Sequence, residues 1–149
     1  MLKSVLLVEG DRHFAARLAE NIRELGVLDH HVHFQTARKR LMTAPLALVV
    51  ANLRLGAFNG LHLVYLATTL GACVRSIVYT DPHDVAAARE VQRAGAFYET
   101  RERLPAVLEG YLGALLPSAD RRDSCLSDRR GIFRGGRRCW DLRVAQRSV

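Results

Sequence analysis

Cysteine is scarce. Cys73, Cys125 and Cys139 are the three in 149 residues, widely spaced and without a C-x-x-C pair. An odd count at such spacing suggests neither a disulfide framework nor a structural zinc site. Long apolar runs are missing too, and none approaches the ~18–20 residues of a membrane-spanning helix. Met1-Leu2-Lys3-Ser4 leads directly into Val5-Leu6-Leu7-Val8, with no small-residue cleavage site between them. No secretory leader and no membrane attachment are therefore expected, and a cytoplasmic location is the default. Neither G-x-G-x-x-G nor a P-loop signature occurs, which removes support for nucleotide-cofactor enzymes. No Ser-His-Asp arrangement can be argued from spacing, and no catalytic activity is expected.

What is present is a hydrophobic content of 49%, enough for one domain with a proper core. The net charge of +7 is unevenly spread. Residues 1–117 carry 13 Lys+Arg against 11 Asp+Glu, a balance of +2, while residues 118–149 carry 9 Arg against 4 Asp, a balance of +5. A nearly neutral domain over 1–117 followed by a basic tail over 118–149 fits these figures.

Within the first part, apolar strand-like runs alternate with helix-period segments. Ser4–Val8 reads as a first strand. Phe14, Leu18, Ile22 and Leu25 then recur at helical spacing from Asp11, and Gly26 stops them. Val32-His33-Phe34 reads as a short second strand, with Thr36 capping a helix to about Thr43. Ala47–Asn52 is the third strand. Leu61, Val64, Ala67 and Leu70 stripe a third helix ending near Gly71. Val74–Tyr79 is the fourth strand. Asp81-Pro82 offers a capping carboxylate and a proline for the start of a fourth helix running to about Ala94. Phe97-Tyr98 marks the fifth strand, and Leu104–Leu116, closed by Pro117, the fifth helix.

Five βα units in this length predict an α/β fold with a single parallel sheet, helices on both faces and the flavodoxin-like strand order 2-1-3-4-5. In such sheets the site lies beyond the carboxyl ends of strands one and three. That places Glu9, Gly10 and Asp11 beside Asn52. His30, His31 and His33 suggest a metal cluster at first sight. They lack companion ligands at a recognised spacing, and a solvated strand edge carrying His31 and His33 is the preferred reading.

The segment Leu46-Ala47-Leu48-Val49-Val50-Ala51-Asn52-Leu53-Arg54-Leu55, followed by Gly56-Ala57-Phe58-Asn59-Gly60, resembles the third strand and loop of CheY-like response-regulator receiver domains. That pattern is roughly apolar-apolar-x-Asp-Leu-x-Leu-Pro-x-x-x-Gly, and its Asp accepts a phosphoryl group. The resemblance covers residues 3–116. It implies a phosphorelay signalling domain with Asn52 in the phosphoacceptor position. Glu9 matches the first of two adjacent acids that hold Mg²⁺ in the family, Gly10 stands where the second belongs, and Asp11 follows one residue late. Asp11 reads either as a substitute ligand or as the N-cap of the first helix. Thr80 matches the hydroxyl that contacts the phosphoryl group. The family lysine falls on Thr100 or Arg101. Tyr98 matches the switch aromatic or is strand packing.

An amide oxygen cannot form the acyl phosphate that an aspartate carboxylate forms. Losing the charges of an acid at Gly10 and at Asn52 also weakens a site for a hard divalent cation. The expectation is a degenerate receiver with no cofactor, Mg²⁺ binding weak or absent, and Glu9 and Asp11 as the weak ligand candidates. It would act by contact with a protein partner or a second copy through the face of the fourth helix, fifth strand and fifth helix. A phosphoacceptor using Asp11 as a shifted acid is a further reading.

The tail is too polar and short for its own core, and reads as disordered or docked on the domain. Its paired arginines (Arg121-Arg122, Arg129-Arg130, Arg137-Arg138), with Arg134, suit phosphate contacts, and Phe133 and Trp140 suit base stacking. Nucleic-acid binding is thus the alternative function, beside a protein partner or an unpartnered tail.

Overall fold

The computed structural model describes residues 2–70 and 74–114. Gly71, Cys73, Leu115, Leu116, Pro117 and the segment 118–149, with its arginine pairs, Phe133, Trp140, Cys125 and Cys139, lie outside the described residues.

The chain runs β1 (Lys3–Val8), α1 (Arg12–Ile22), β2 (Gly26–His31), α2 (Phe34–Thr43), β3 (Leu48–Asn52), β4 (Arg54–Leu55), β5 (Phe58–Asn59), α3 (Leu61–Thr69), β6 (Arg75–Thr80), α4 (Val85–Arg93), β7 (Phe97–Thr100) and α5 (Leu104–Gly113). The main sheet has five parallel strands in the order β2-β1-β3-β6-β7. This is the expected 2-1-3-4-5 order of a flavodoxin-like fold. An additional antiparallel pair, β4 with β5, sits in the loop after β3.

Because side chains alternate across a strand, each central strand feeds two cores. Val5 and Leu7 of β1, Leu48 and Val50 of β3, and Ile77 and Tyr79 of β6 pack on Phe14, Leu18 and Ile22 of α1 and Leu104, Leu108 and Leu112 of α5. On the other side Leu6, Val8, Val49 and Ala51 meet Ala37 and Leu41 of α2 and Leu63 and Ala67 of α3. Leu61 and Val64 of α3 continue that layer to Val78 of β6 and Val91 of α4. Strands buried on both faces explain the uninterrupted apolar runs in the sequence.

Four local expectations are corrected. The second strand is Gly26–His31, Val32 and His33 form the turn into α2, and Phe34 is the first residue of that helix. Gly26 opens the strand instead of merely ending a helix. A Cβ there would lie 2.6 Å from the carbonyl oxygen of Lys3, so only glycine permits this approach to β1. His31 is therefore on the edge strand while His33 stands at the N-cap position of α2 without a side-chain cap bond, and the two do not share a strand face. Thr36 does not cap α2: its hydroxyl donates to the His33 carbonyl from within the helix (2.9 Å). The cap of α4 is Asp84, not Asp81. Asp84 Oδ1 accepts from the amides of Ala86 (2.9 Å) and Ala87 (3.1 Å), while the Asp81-Pro82 peptide is cis and precedes the helix. Finally, α1 stops at Ile22, with Leu25 beyond it packed on the same core.

Among the described residues no helix is long and apolar enough to cross a membrane.

Candidate functional site

Adjacent parallel strands β1 and β3 end side by side, which brings Glu9 next to Asn52. Glu9 is 4% exposed. A buried carboxylate needs donors, and four converge on it. Its Oε1 accepts from the Asp11 amide (3.0 Å). Its Oε2 accepts from Asn52 Nδ2 (3.2 Å), from Arg101 Nη1 (3.4 Å) and from the Tyr79 hydroxyl. Burial, then the hydrogen bond to Glu9, push the Tyr79 phenol above its ordinary pKa, which favours the protonated, donating form.

Asn52 is held at both ends of its amide. Nδ2 donates to Glu9, and Oδ1 accepts from the Arg54 amide (3.0 Å). The backbone at this point is fixed by Gly60, where a Cβ would lie 2.4 Å from the Asn52 carbonyl oxygen. The Gly60 amide in turn donates to Leu53 (2.9 Å). Thus the loop glycine has a steric role that any larger residue would violate.

Asp11 has two functions in one side chain. Oδ1 caps α1 by accepting from the His13 (2.9 Å) and Phe14 (3.1 Å) amides. Oδ2 accepts from Arg101 Nη2 at 2.6 Å. The Phe14 amide chiefly, with the His13 amide and Arg101 adding, holds its carboxyl below the usual value against some desolvation. Arg101 completes the arrangement. Its backbone amide is anchored to the Thr80 carbonyl (2.9 Å), its guanidinium carbon lies 4.2 Å over the Phe14 ring, and its nitrogens bridge Glu9 and Asp11. A stacked, forked guanidinium suits this bridging better than a lysine ammonium. Of the two residues at the family lysine's place, Arg101 reaches the carboxylates. Thr100 Oγ1 instead accepts from the Arg103 amide (3.3 Å).

Gly10 contributes no side chain, and a Cβ there meets nothing within 4 Å. Thr80 and Tyr98 stand on the neighbouring strands β6 and β7. Their hydroxyls share a hydrogen bond, Thr80 donates to the Pro82 carbonyl (2.9 Å), and Tyr98 accepts from the Asp84 amide (2.9 Å). Neither touches Glu9. A cleft of about 450 Å³ opens beyond β3 and β6, lined among others by Asn52, Arg54, Thr80, Asp81 and His83.

The donor set does not suit a divalent metal. Glu9 is engaged by four donors, Asn52 is neutral, Gly10 offers no oxygen from its side chain, and a guanidinium already lies between the two carboxylates. Among the described residues no group of three His, Cys, Asp or Glu is placed to hold a metal ion. His30 Nε2 is instead 2.7 Å from the Glu9 carbonyl, and His31 pairs with Asp29 at 3.0 Å.

Two members of this cluster were missed in the sequence. Tyr79 read only as a strand residue. Its parity with Ile77 places it on the α1 side, which was a usable signal. The contact of His30 with the Glu9 backbone depends on the register of β2 and had no signal of its own.

No family model and no curated protein matches the sequence. Solved structures do match the fold. The signal receiver domain of a Vibrio parahaemolyticus protein described as a LuxO repressor superimposes with a TM-score of 0.67 at 18% identity, covering 75% of this chain and 91% of that one. The beryllofluoride-activated NtrC4 receiver domain dimer gives 0.66 at 17%, covering 74% and 97%. An orphan response regulator of H. pylori gives 0.64 at 16%, covering 74% and 96%. This chain has the receiver-domain fold.

Proposed function

We propose that the chain is a receiver-type domain of phosphorelay (two-component) signalling that works by protein–protein contact and does not accept a phosphoryl group. One observation carries the reading: the Asn52 amide, in the place of the resemblance's phosphoacceptor, is tied to Glu9, whose remaining valences are taken by Tyr79, Asp11 and Arg101. The nucleophile is replaced by an amide, and the cation that phosphoryl chemistry requires is replaced by a tethered guanidinium. What remains is a folded surface, so binding is the function. The face of α4, β7 and α5, which includes Tyr98, is assigned to a protein partner or a second copy. The dimer among the similar structures supports a second copy as the partner, whichever face it uses.

The test is incubation of the full chain with acetyl phosphate and Mg²⁺, read by intact mass before and after hydroxylamine. No adduct is expected. A hydroxylamine-sensitive phosphoryl adduct would overturn the reading, and its loss in Asp11→Ala would point to the shifted acid.

The alternative, nucleic-acid binding through the tail, is favoured by the +5 balance of residues 118–149. It requires affinity that falls steeply with salt and vanishes when the paired arginines are replaced by alanine.

A further inference from the structure

The acids of this chain are distributed with a wide gap. Between Asp29 and Asp81 no Asp or Glu occurs, while Arg38, Lys39, Arg40, Arg54 and Arg75 and four histidines do. In the fold this stretch is β2's end, α2, β3, the β4–β5 hairpin, α3 and all of β6. Its core-facing side chains are spent on packing. Its outward side chains therefore include cations and no acid of the same stretch. Arg40 is paired with Asp29, but Arg38, Lys39 and Arg54 are exposed and make no ion pair among the described residues.

Aromatic rings occupy the same face. Phe34 at the start of α2 and Phe58 on the hairpin stack with centroids 4.5 Å apart and planes 10° from parallel. His62 of α3 meets both rings edge-on, at 6.0 and 6.4 Å. These contacts bring α2, the hairpin and α3 to one place. Phe58 is 37% exposed although it is stacked on only one side, and Tyr65, one helical turn from His62, is 49% exposed. Arg38 lies one turn from Phe34 on α2, and Arg54 is paired with Asn59, next to Phe58. Asp81 and Asp84, across the cleft from Arg54, mark where the cationic face ends.

We propose that this face, formed by α2, the β4–β5 hairpin and α3, binds single-stranded nucleic acid, with Phe58 and Tyr65 stacking on bases and Arg38, Lys39 and Arg54 contacting phosphates. The juxtaposition is what such binding demands: open aromatic rings take any base, and flanking cations follow the backbone. An acidic peptide would be served by the cations alone and gives no reason for a ring stack ending in solvent. The site lies on the folded domain and does not rest on the tail.

The test is fluorescence anisotropy of the full chain with an oligothymidylate of about 15 nucleotides and its abasic counterpart, over a salt series. Replacing Arg38, Lys39 and Arg54 together by alanine is expected to weaken binding at least about tenfold and to reduce the salt slope by about 2, since each neutralised phosphate contributes about 0.7 on single strands. Tyr65→Ala and Phe58→Ala are each expected to weaken oligothymidylate binding about five- to tenfold and to leave the abasic strand unaffected. Tyr65 is surface-exposed, so its variant keeps the test valid if Phe58→Ala fails to fold. The proposal is overturned by no binding at low salt, by equal binding of the abasic strand, by full competition from polyglutamate at equal charge, or by retention of full affinity in the Arg38, Lys39 and Arg54 variant.

Discussion

At the amino edge of the sheet, Lys3 of β1 and Arg75 of β6 both donate to the end of α5. Lys3 Nζ reaches the Leu112 carbonyl, and Arg75 Nη1 reaches those of Tyr111 (2.7 Å) and Ala114 (3.3 Å). At the carboxyl edge Arg101 ends on the carboxylates of Glu9 and Asp11. The first pair of cations completes a helix end, whose last carbonyls have no partner within the helix and carry partial negative charge. The second neutralises full charges, one of them on a buried group. The contrast teaches that the same residue type is interchangeable at one edge and indispensable at the other, because desolvated charge tolerates no missing partner while a helix end can turn to water.

Removing the cation at the carboxyl edge tests this most severely. Arg101→Ala is expected to cost about 2 kcal/mol in urea unfolding, less than for a fully buried pair because Arg101 and Asp11 are partly solvated. It should also create a response to Mg²⁺. Millimolar Mg²⁺ is expected to leave the parent chain unchanged and to raise the variant's unfolding midpoint. An equal, small effect of Arg101→Ala and Lys3→Ala would abolish the contrast.

Tyr79→Phe keeps the ring packed on Phe14 and deletes one donor to Glu9. About 1.5 kcal/mol is the expected loss, measured the same way. A neutral result would mean that Arg101 and Asn52 satisfy the carboxylate alone. Lys3→Ala at the other edge is expected to cost about 0.5 kcal/mol, diminishing with salt.

The smallest effect concerns pH. The folded Asp11 carboxyl is held below its ordinary value of 3.8, so its contribution is complete above that value and is lost as pH falls through the lower, folded one. Asp11→Asn retains a capping oxygen but does not titrate. The stability gap between the parent and Asp11→Asn is therefore expected to be constant above about pH 5 and to close in acid. A gap that widened on acidification would reverse the sign.

Much of this architecture could be read from residue order, and the exceptions have physical causes. Strands β1, β3 and β6 are buried on both faces, so their runs stand out. Strand β2 has one sheet neighbour, and its Asp29-His30-His31 end carries little apolar signal. The apolar pattern therefore points to Val32-His33-Phe34, just past the strand's actual end at His31. Asp81 and Asp84 are both plausible caps in a sequence, and the one whose oxygen reaches two amides is decided by the backbone alone. At the site, the proximity of Glu9 and Asn52 follows from strand order. The engagement of Arg101 depends on loop length after β7 and on the Phe14 ring that supports it. Strand parity puts Tyr79 on the α1 side, but its hydroxyl's choice of Glu9 and the 4.5 Å ring stack of Phe34 and Phe58 each join residues far apart in the chain.

Gly10 leaves room at the carboxyl edge. Most positions in a packed site are hemmed in, so that a larger side chain collides with its neighbours. Position 10 faces open room, so an acid would fit there without displacing an atom. The chemistry of this edge is thus separable from its frame: a side chain can be exchanged at position 10 while the backbone that carries it stays in place.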